Sequence, residues 1–300
     1  MATNLAQPIR ADSAVAVAPV GDRTVHWRRR LAYAILIGYA FLMFIPFAWS
    51  VITSFKTLPD SVQLTVIPQP FTLHGWEFAL TGPRPPVAQM FLNSAIIALA
   101  VTLTNLALGS LAGYAFARLR FPGRELLFLI VLATLMIPDQ LRLVPVYLIM
   151  NGLGLTRGFG QYLAVVLVLA IAGTSIFFMR QYFLSIPRDL EEAARIDGAG
   201  FFTTFLRVML PLAGPALAAV AILQFQGTWN GFFWPLIFLQ DTDHYTVQQG
   251  LYFFRQAGGF SSDWPPLMAT VVMATIPVLV LYVFFQRYFV EGIAASGVKG

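Results

Sequence analysis

The residues able to do chemistry are few and unevenly placed. From Ser185 to Pro215 the chain reads SIPRDLEEAARIDGAGFFTTFLRVMLPLAGP, seven charges in one segment of a protein that is 58% hydrophobic and 11% charged. Pro187 suits a first helical turn, and Asp189, Glu191 and Glu192 follow where carboxylates favour the positive dipole end. Ala193 and Ala194 extend the helix through Arg195 and Ile196 to Asp197. Gly198, Ala199 and Gly200 then let the chain turn sharply. A second run places Phe201, Phe205 and Val208 or Met209 at helical spacing and closes at Leu210-Pro211. The predicted unit is a helix–turn–helix with an acidic edge, suited to docking another surface. A solvated loop has the same composition, and residue types alone leave both readings open.

A second group is uncharged. Gln224, Gln226, Thr228, Trp229 and Asn230 interrupt an otherwise apolar run. Polar side chains in such a run face a partner helix or a watery path. Amides pair with sugar hydroxyls and aromatic faces cover sugar C–H surfaces, so a saccharide path is one reading and helix–helix packing the other. Asn93, Thr104 and Asn105 form a weaker set of the same kind. Asp139 and Arg142 read as an interfacial pair at the end of an apolar run, which leaves no arginine in any path.

Other chemistries lack their residues. A phosphate-cradling loop needs Gly-Lys-Ser/Thr after a Gly-rich turn, and the two lysines, Lys56 and Lys299, have no such context. No cysteine is present, and His26, His74 and His244 have no second ligand at a metal-binding spacing. The net charge of +5 sits beside apolar runs rather than among aromatics, the pattern of membrane orientation and not of nucleic-acid binding. The apolar cores hold no ionisable residue, which disfavours proton-coupled transport, though sodium sites built from carbonyls would escape that test.

The elements that must hold these groups are membrane helices, since in lipid a single segment satisfies its backbone internally only as a helix. Six spans are expected, at about 31–53, 91–116, 126–145, 162–180, 213–238 and 266–286. The third should kink near Pro138. Residues 1–25 read as a disordered tail before a membrane domain over 26–300. With the N-terminus inside, fourteen of the nineteen Lys and Arg residues fall on the inner side, leaving Lys56, Arg84, Arg142, Arg157 and Arg255 outside. Both termini and the charged segment between spans four and five are then cytoplasmic. The expected class is an all-α membrane protein with six spans and a short cytoplasmic helix.

Glu192-Ala193-Ala194, Asp197-Gly198-Ala199 and Leu210-Pro211 together resemble the signature loop of permease subunits in bacterial ABC importers. MIPDQ at 136–140, WNGFFWPL at 229–236 and QRYFVEGIAASGVKG at 286–300 are similar to the carbohydrate-uptake branch, specifically the maltose-type second permease subunit. The similarity runs from about residue 30 to the end. It implies that Glu191–Gly200 form a coupling helix seated on an ATPase subunit. It also implies a complex with a second permease subunit, two ATPase copies and an extracytoplasmic solute-binding protein, in the bacterial inner membrane. ATP and magnesium would lie in the partner ATPase subunits, with no cofactor or metal on this chain. The expected cargo is a neutral sugar or oligosaccharide. The alternatives are import of a glycerol-phosphate-type ligand and secondary transport.

Overall fold

The computed structural model describes residues 23–82, 86–256 and 263–297, with side chains over 27–82, 86–253 and 263–285. The expected tail at 1–25 lies outside the described residues except for 23–25, which open the first helix. The side chains of the C-terminal motif at 286–300 also lie outside them. The chain divides into two compact units, Met1–Ala48 and Trp49–Gly300. The described residues contain no strand.

Among the described residues, three helices are long and apolar enough to cross a membrane unbroken. Helix α1 (Arg23–Thr53) carries the basic cluster Arg28-Arg29-Arg30 near its start. Helix α2 (Val87–Arg118) has 32 residues, about 48 Å at 1.5 Å per residue. The last, α12 (Trp264–Gly297), contains Pro277. These cover the expected spans one, two and six.

The other expected spans are broken. The third is α3 (Arg124–Thr134) and α4 (Asp139–Gly152), bent by 103° across residues 135–138. The kink expected near Pro138 is there, but α4 turns away rather than continuing. Pro138 holds an extended backbone and acts as the N-cap of α4. The fourth, expected at about 162–180, is α5 (Gly160–Leu169) and α6 (Gly173–Ser185), bent by 44°.

After α6 come the short helix α7 (Asp189–Ile196) and then α8 (Phe201–Leu212), which meets α9 (Gly214–Trp229) at 77°. The expected fifth span, 213–238, stops at Trp229 and resumes as α10 (Phe233–Phe238). Within α8, residues Phe205–Met209 form a π turn in which Leu210 N–H bonds Phe205 O. Pro211 has no N–H to give Arg207 O, so a regular helix could not continue there. Helix α11 (Val247–Gln256) precedes α12.

Helix α2 is the hub. Its C-terminal half packs Tyr114 and Ala117 against Met179 and Phe183 of α6, Phe205 and Met209 of α8, and Ala216 of α9. Its middle packs Ile97 and Val101 against Ala164 and Val165 of α5 and Trp234 and Phe238 of α10. The run GSLAG at 109–113 lets α6 approach closely. A Cβ on Gly109 would lie 2.9 Å from Ser175 Cβ, and one on Gly113 only 2.6 Å from Met179 Cβ.

One loop lysine is not solvated. Lys56, expected on the outer side, is fully buried. Its Nζ donates to the carbonyls of Gln63 (3.2 Å) and Thr65 (2.6 Å) and to Thr65 Oγ1, and lies 4.7 Å from the Trp49 ring centroid. Thr65 Oγ1 in turn donates to Asp60 Oδ1, a bond that leads in holding the Asp60 carboxyl below its ordinary range. Asn93, a weaker path candidate, ties the same end of α2 to the carbonyls of Asp243 and Tyr245.

The close approach gives a test. Gly113→Ala should destabilise the solubilised protein by about 1–3 kcal/mol, whereas Gly152→Ala, whose Cβ would meet nothing within 4 Å, should not lower the thermal midpoint. Equal midpoints for the two variants would contradict this packing.

Candidate functional site

Two sites emerge at different depths along α2. The first surrounds its C-terminus. Helix α7 carries three carboxylates in its first turn and Arg195 in its last, both complementing the helix dipole. It ends in a Schellman arrangement: Gly198 N–H bonds Arg195 O at 3.0 Å and Ala199 N–H bonds Ala194 O at 2.9 Å. Gly198 sits at φ +80 with open space around it, so backbone conformation and not crowding requires glycine. Gly200 has an ordinary φ of −70 and opens α8 as its N-cap.

The two adjacent glutamates have opposite fates. Glu191 is buried, its Oε1 3.0 Å from Arg118 Nε, with side chains 8% and 3% exposed respectively. Arg118 Nη2 also donates to the carbonyls of Phe183 (2.6 Å) and Ile186, satisfying the C-terminal end of α6. One guanidinium therefore joins α2, α6 and α7. Glu192 points to solvent, as do Ala193, Arg195 and Asp197, while Ala194 and Ala199 are half-buried. Leu190, Ile196, Phe202 and Leu206 are exposed alongside, with Ile196 85% accessible. Exposed apolar side chains thus lie beside the charges of α7.

The second site lies near the middle of α2, where three helix breaks meet. Asn105 is fully buried and repairs the break between α5 and α6. Its Nδ2 donates to Leu169 O at 2.7 Å, and its Oδ1 accepts from Ala172 N–H at 2.8 Å and from Ser175 Oγ at 3.0 Å. The last α5 carbonyl and the amide of Ala172, the N-cap of α6, are thus both bonded without water. Asn105 was a weak path candidate in sequence; here it is a structural cap. Thr104 bonds carbonyls of its own helix.

Around the three breaks opens a cavity of about 490 Å³, within the range of small-ligand sites. Its wall includes Leu135 and Ile137 from the α3–α4 break, Ile171 and Ala172 from the α5–α6 break, and Gly231 and Phe232 from the α9–α10 break. Gln224 and Thr228 line it, and Gln224 Nε2 donates to Ser175 Oγ at 3.0 Å. Asp139, Arg142 and Trp234 complete the polar and aromatic lining.

The five polar-cluster residues therefore separate. Trp229 is 2% exposed and turned away from the cavity: its Nε1 donates to Ala274 O of α12 at 3.0 Å, and its ring stacks on Phe225. That is helix packing. Gln226 and Asn230 are exposed and line no part of the cavity. The sequence reading also missed two lining residues. Arg142, expected at the outer interface, is in the wall because α4 turns at the 103° bend. Trp234 was visible only as part of a motif.

Residues 105–294 match the family described as "Binding-protein-dependent transport system inner membrane component". The chain is 37% identical over 277 residues to the arabinooligosaccharides transport system permease protein AraQ of Halalkalibacterium halodurans, covering 90% of this chain and 97% of that one. It is 33% identical to the diacetylchitobiose uptake system permease protein NgcG of Streptomyces coelicolor, over 86% of this chain and 84% of that one. A chain in the crystal structure of a bacterial ABC transporter involved in import of the acidic polysaccharide alginate superposes with a TM-score of 0.78 at 25% identity, covering 91% of this chain and all of that chain.

The glutamates make a contrasting pair of variants. Glu191→Ala strands a buried guanidinium and should cost about 3 kcal/mol, while Glu192→Ala should change stability by no more than about 0.5 kcal/mol. Thermal unfolding of the purified protein reads both, and equal losses would refute the division between them.

Proposed function

The chain belongs to the family of binding-protein-dependent transport system inner membrane components, and on that footing we propose that it is the permease subunit of an ATP-driven importer carrying a sugar or oligosaccharide. The arabinooligosaccharide and diacetylchitobiose permeases it resembles favour a saccharide cargo. The observation that carries the reading is the convergence of three broken helices on one polar and aromatic cavity, linked by a single rod to an exposed charged helix.

That rod is α6. Its first residue, Gly173, lines the cavity, and its last carbonyls are held by Arg118. Thirteen residues span about 20 Å. A push on α7 reaches Arg118 through Glu191, and Arg118 moves with both α2 and α6. Because α2 and α6 touch at Gly109 and Gly113, the displacement arrives at the Ala170–Ala172 break as rigid-body motion rather than being absorbed by loose packing.

In this reading Glu192, Asp197 and the exposed apolar side chains of the Glu191–Gly200 turn dock a cytoplasmic ATPase subunit. Two copies of that subunit hold the ATP and magnesium, a second permease subunit completes the path, and a solute-binding protein delivers the cargo. The Lys and Arg distribution supports cytoplasmic termini. The chain itself performs no chemistry; it changes shape.

Glu192→Lys reverses the charge at the docking face without touching the core. Uptake of labelled arabinotriose by the reconstituted importer should fall about tenfold or more, with the complex still inserted and assembled. Uptake at the wild-type rate by an assembled Glu192→Lys complex would remove the coupling role. In the cavity, Gln224→Ala should lower uptake while ATP hydrolysis stays responsive to the solute-binding protein; unchanged uptake kinetics would detach Gln224 from the path.

A further inference from the structure

Sequence reasoning left the cargo neutral because no arginine stood in a path, yet Arg142 is in the cavity wall. We propose that Asp139 and Arg142 form a charge-compensated recognition pair that takes the hydroxyl face of an uncharged saccharide, with Asp139 the residue that excludes anionic sugars. This rests on the saccharide reading of the cavity and adds the charge class of the ligand.

The pair lies on the first turn of α4, Arg142 Nη2 bonded to Asp139 Oδ1. Both side chains are about two-fifths exposed, at 40% and 43%, so each remains reachable from the cavity. Two N–H donors of the wall are shielded and bond no acceptor among the described residues, Arg142 Nε and Trp234 Nε1. They belong to neighbouring groups, the guanidinium carbon being 5.9 Å from the Trp234 ring centroid. Shielded as they are, these two donors meet a ligand oxygen only if the wall shifts, so recognition falls first to the exposed parts of the Asp139–Arg142 pair.

The character of that oxygen follows from Asp139. A hydroxyl accepts from a guanidinium or indole N–H and donates its own proton to a carboxylate, so neighbouring sugar hydroxyls satisfy both members of the pair. A uronate or phosphate oxygen only accepts. To reach Arg142 it must come within a few ångströms of Asp139, whose charge already matches the guanidinium. Like charges brought together away from bulk water repel strongly, and such a repulsive element is how a site rejects the wrong ligand. Arg142 alone would be an anion site; Arg142 beside Asp139 is not.

The sign of the charge makes the test. The purified importer in lipid nanodiscs is titrated with neutral arabinotriose and maltotriose and with anionic trigalacturonate, and the ratio of neutral to anionic affinity is compared. Wild type should favour the neutral sugars. Asp139→Asn frees the guanidinium and should shift the ratio about tenfold towards trigalacturonate; Arg142→Gln leaves the carboxylate unmatched and should shift it the other way. Because the shifts are opposite, either variant suffices if the other does not assemble, and disrupted packing alone would not produce both. Preference of wild type for trigalacturonate, or a ratio unmoved by the variants, overturns the proposal while leaving a saccharide importer intact. Failure of every saccharide to bind wild type overturns the saccharide reading and the proposal with it.

Discussion

A helix that stops within an apolar environment leaves up to four amides or carbonyls unbonded at each end, and no solvent is there to take them. Every distinctive feature of this protein depends on how that constraint is met at the break between α5 and α6. Asn105, on the unbroken helix α2, bonds both sides of the break through one side-chain amide. Ser175 extends the bonding to Gln224. With the break satisfied from behind, its other side can form part of a cavity. An apolar residue at 105 would leave the same backbone groups without a partner, and a continuous helix would fill the space.

The same economy appears at the far end of α2. Arg118 is a buried charge, costly unless its hydrogen-bonding groups are engaged. Here it is matched by Glu191 and by the terminal carbonyls of α6. The interaction that lets a charge sit in the core is thus also the one that joins the exposed helix α7 to the interior. Between Asn105 and Arg118, Gly109 and Gly113 hold α2 and α6 in close register. Four positions of α2 thus brace the α5–α6 break, hold α6 close and tie it to α7.

Family membership does not choose the cargo. Relatives named for arabinooligosaccharides and diacetylchitobiose and a structural neighbour that handles an acidic polysaccharide resemble one chain. What they have in common is the architecture; discrimination must come from the few groups that line each cavity. In this chain those groups include a matched pair of opposite charges one helical turn apart, Asp139 and Arg142.

Much was legible in the residues. Long apolar runs specified helices and their approximate number, Pro138 specified a kink, and the motif around Glu192 and Gly198 specified the family. The first two follow from local physics, hydropathy and fixed proline geometry, and the family from the resemblance of that motif to the signature loop of known permeases. Four matters were not local. The break in the fourth span is bridged by Asn105, more than sixty residues distant from it in sequence. The burial of Glu191 and exposure of Glu192 depend on where Arg118 reaches. Trp229 became packing because α12 presents Ala274 O to it. Arg142 entered the cavity because the chain bends 103° before it. The sequence determined which segments are helical and apolar; only the tertiary structure decided which polar groups meet, since the partner of a buried polar group can come from anywhere along the chain.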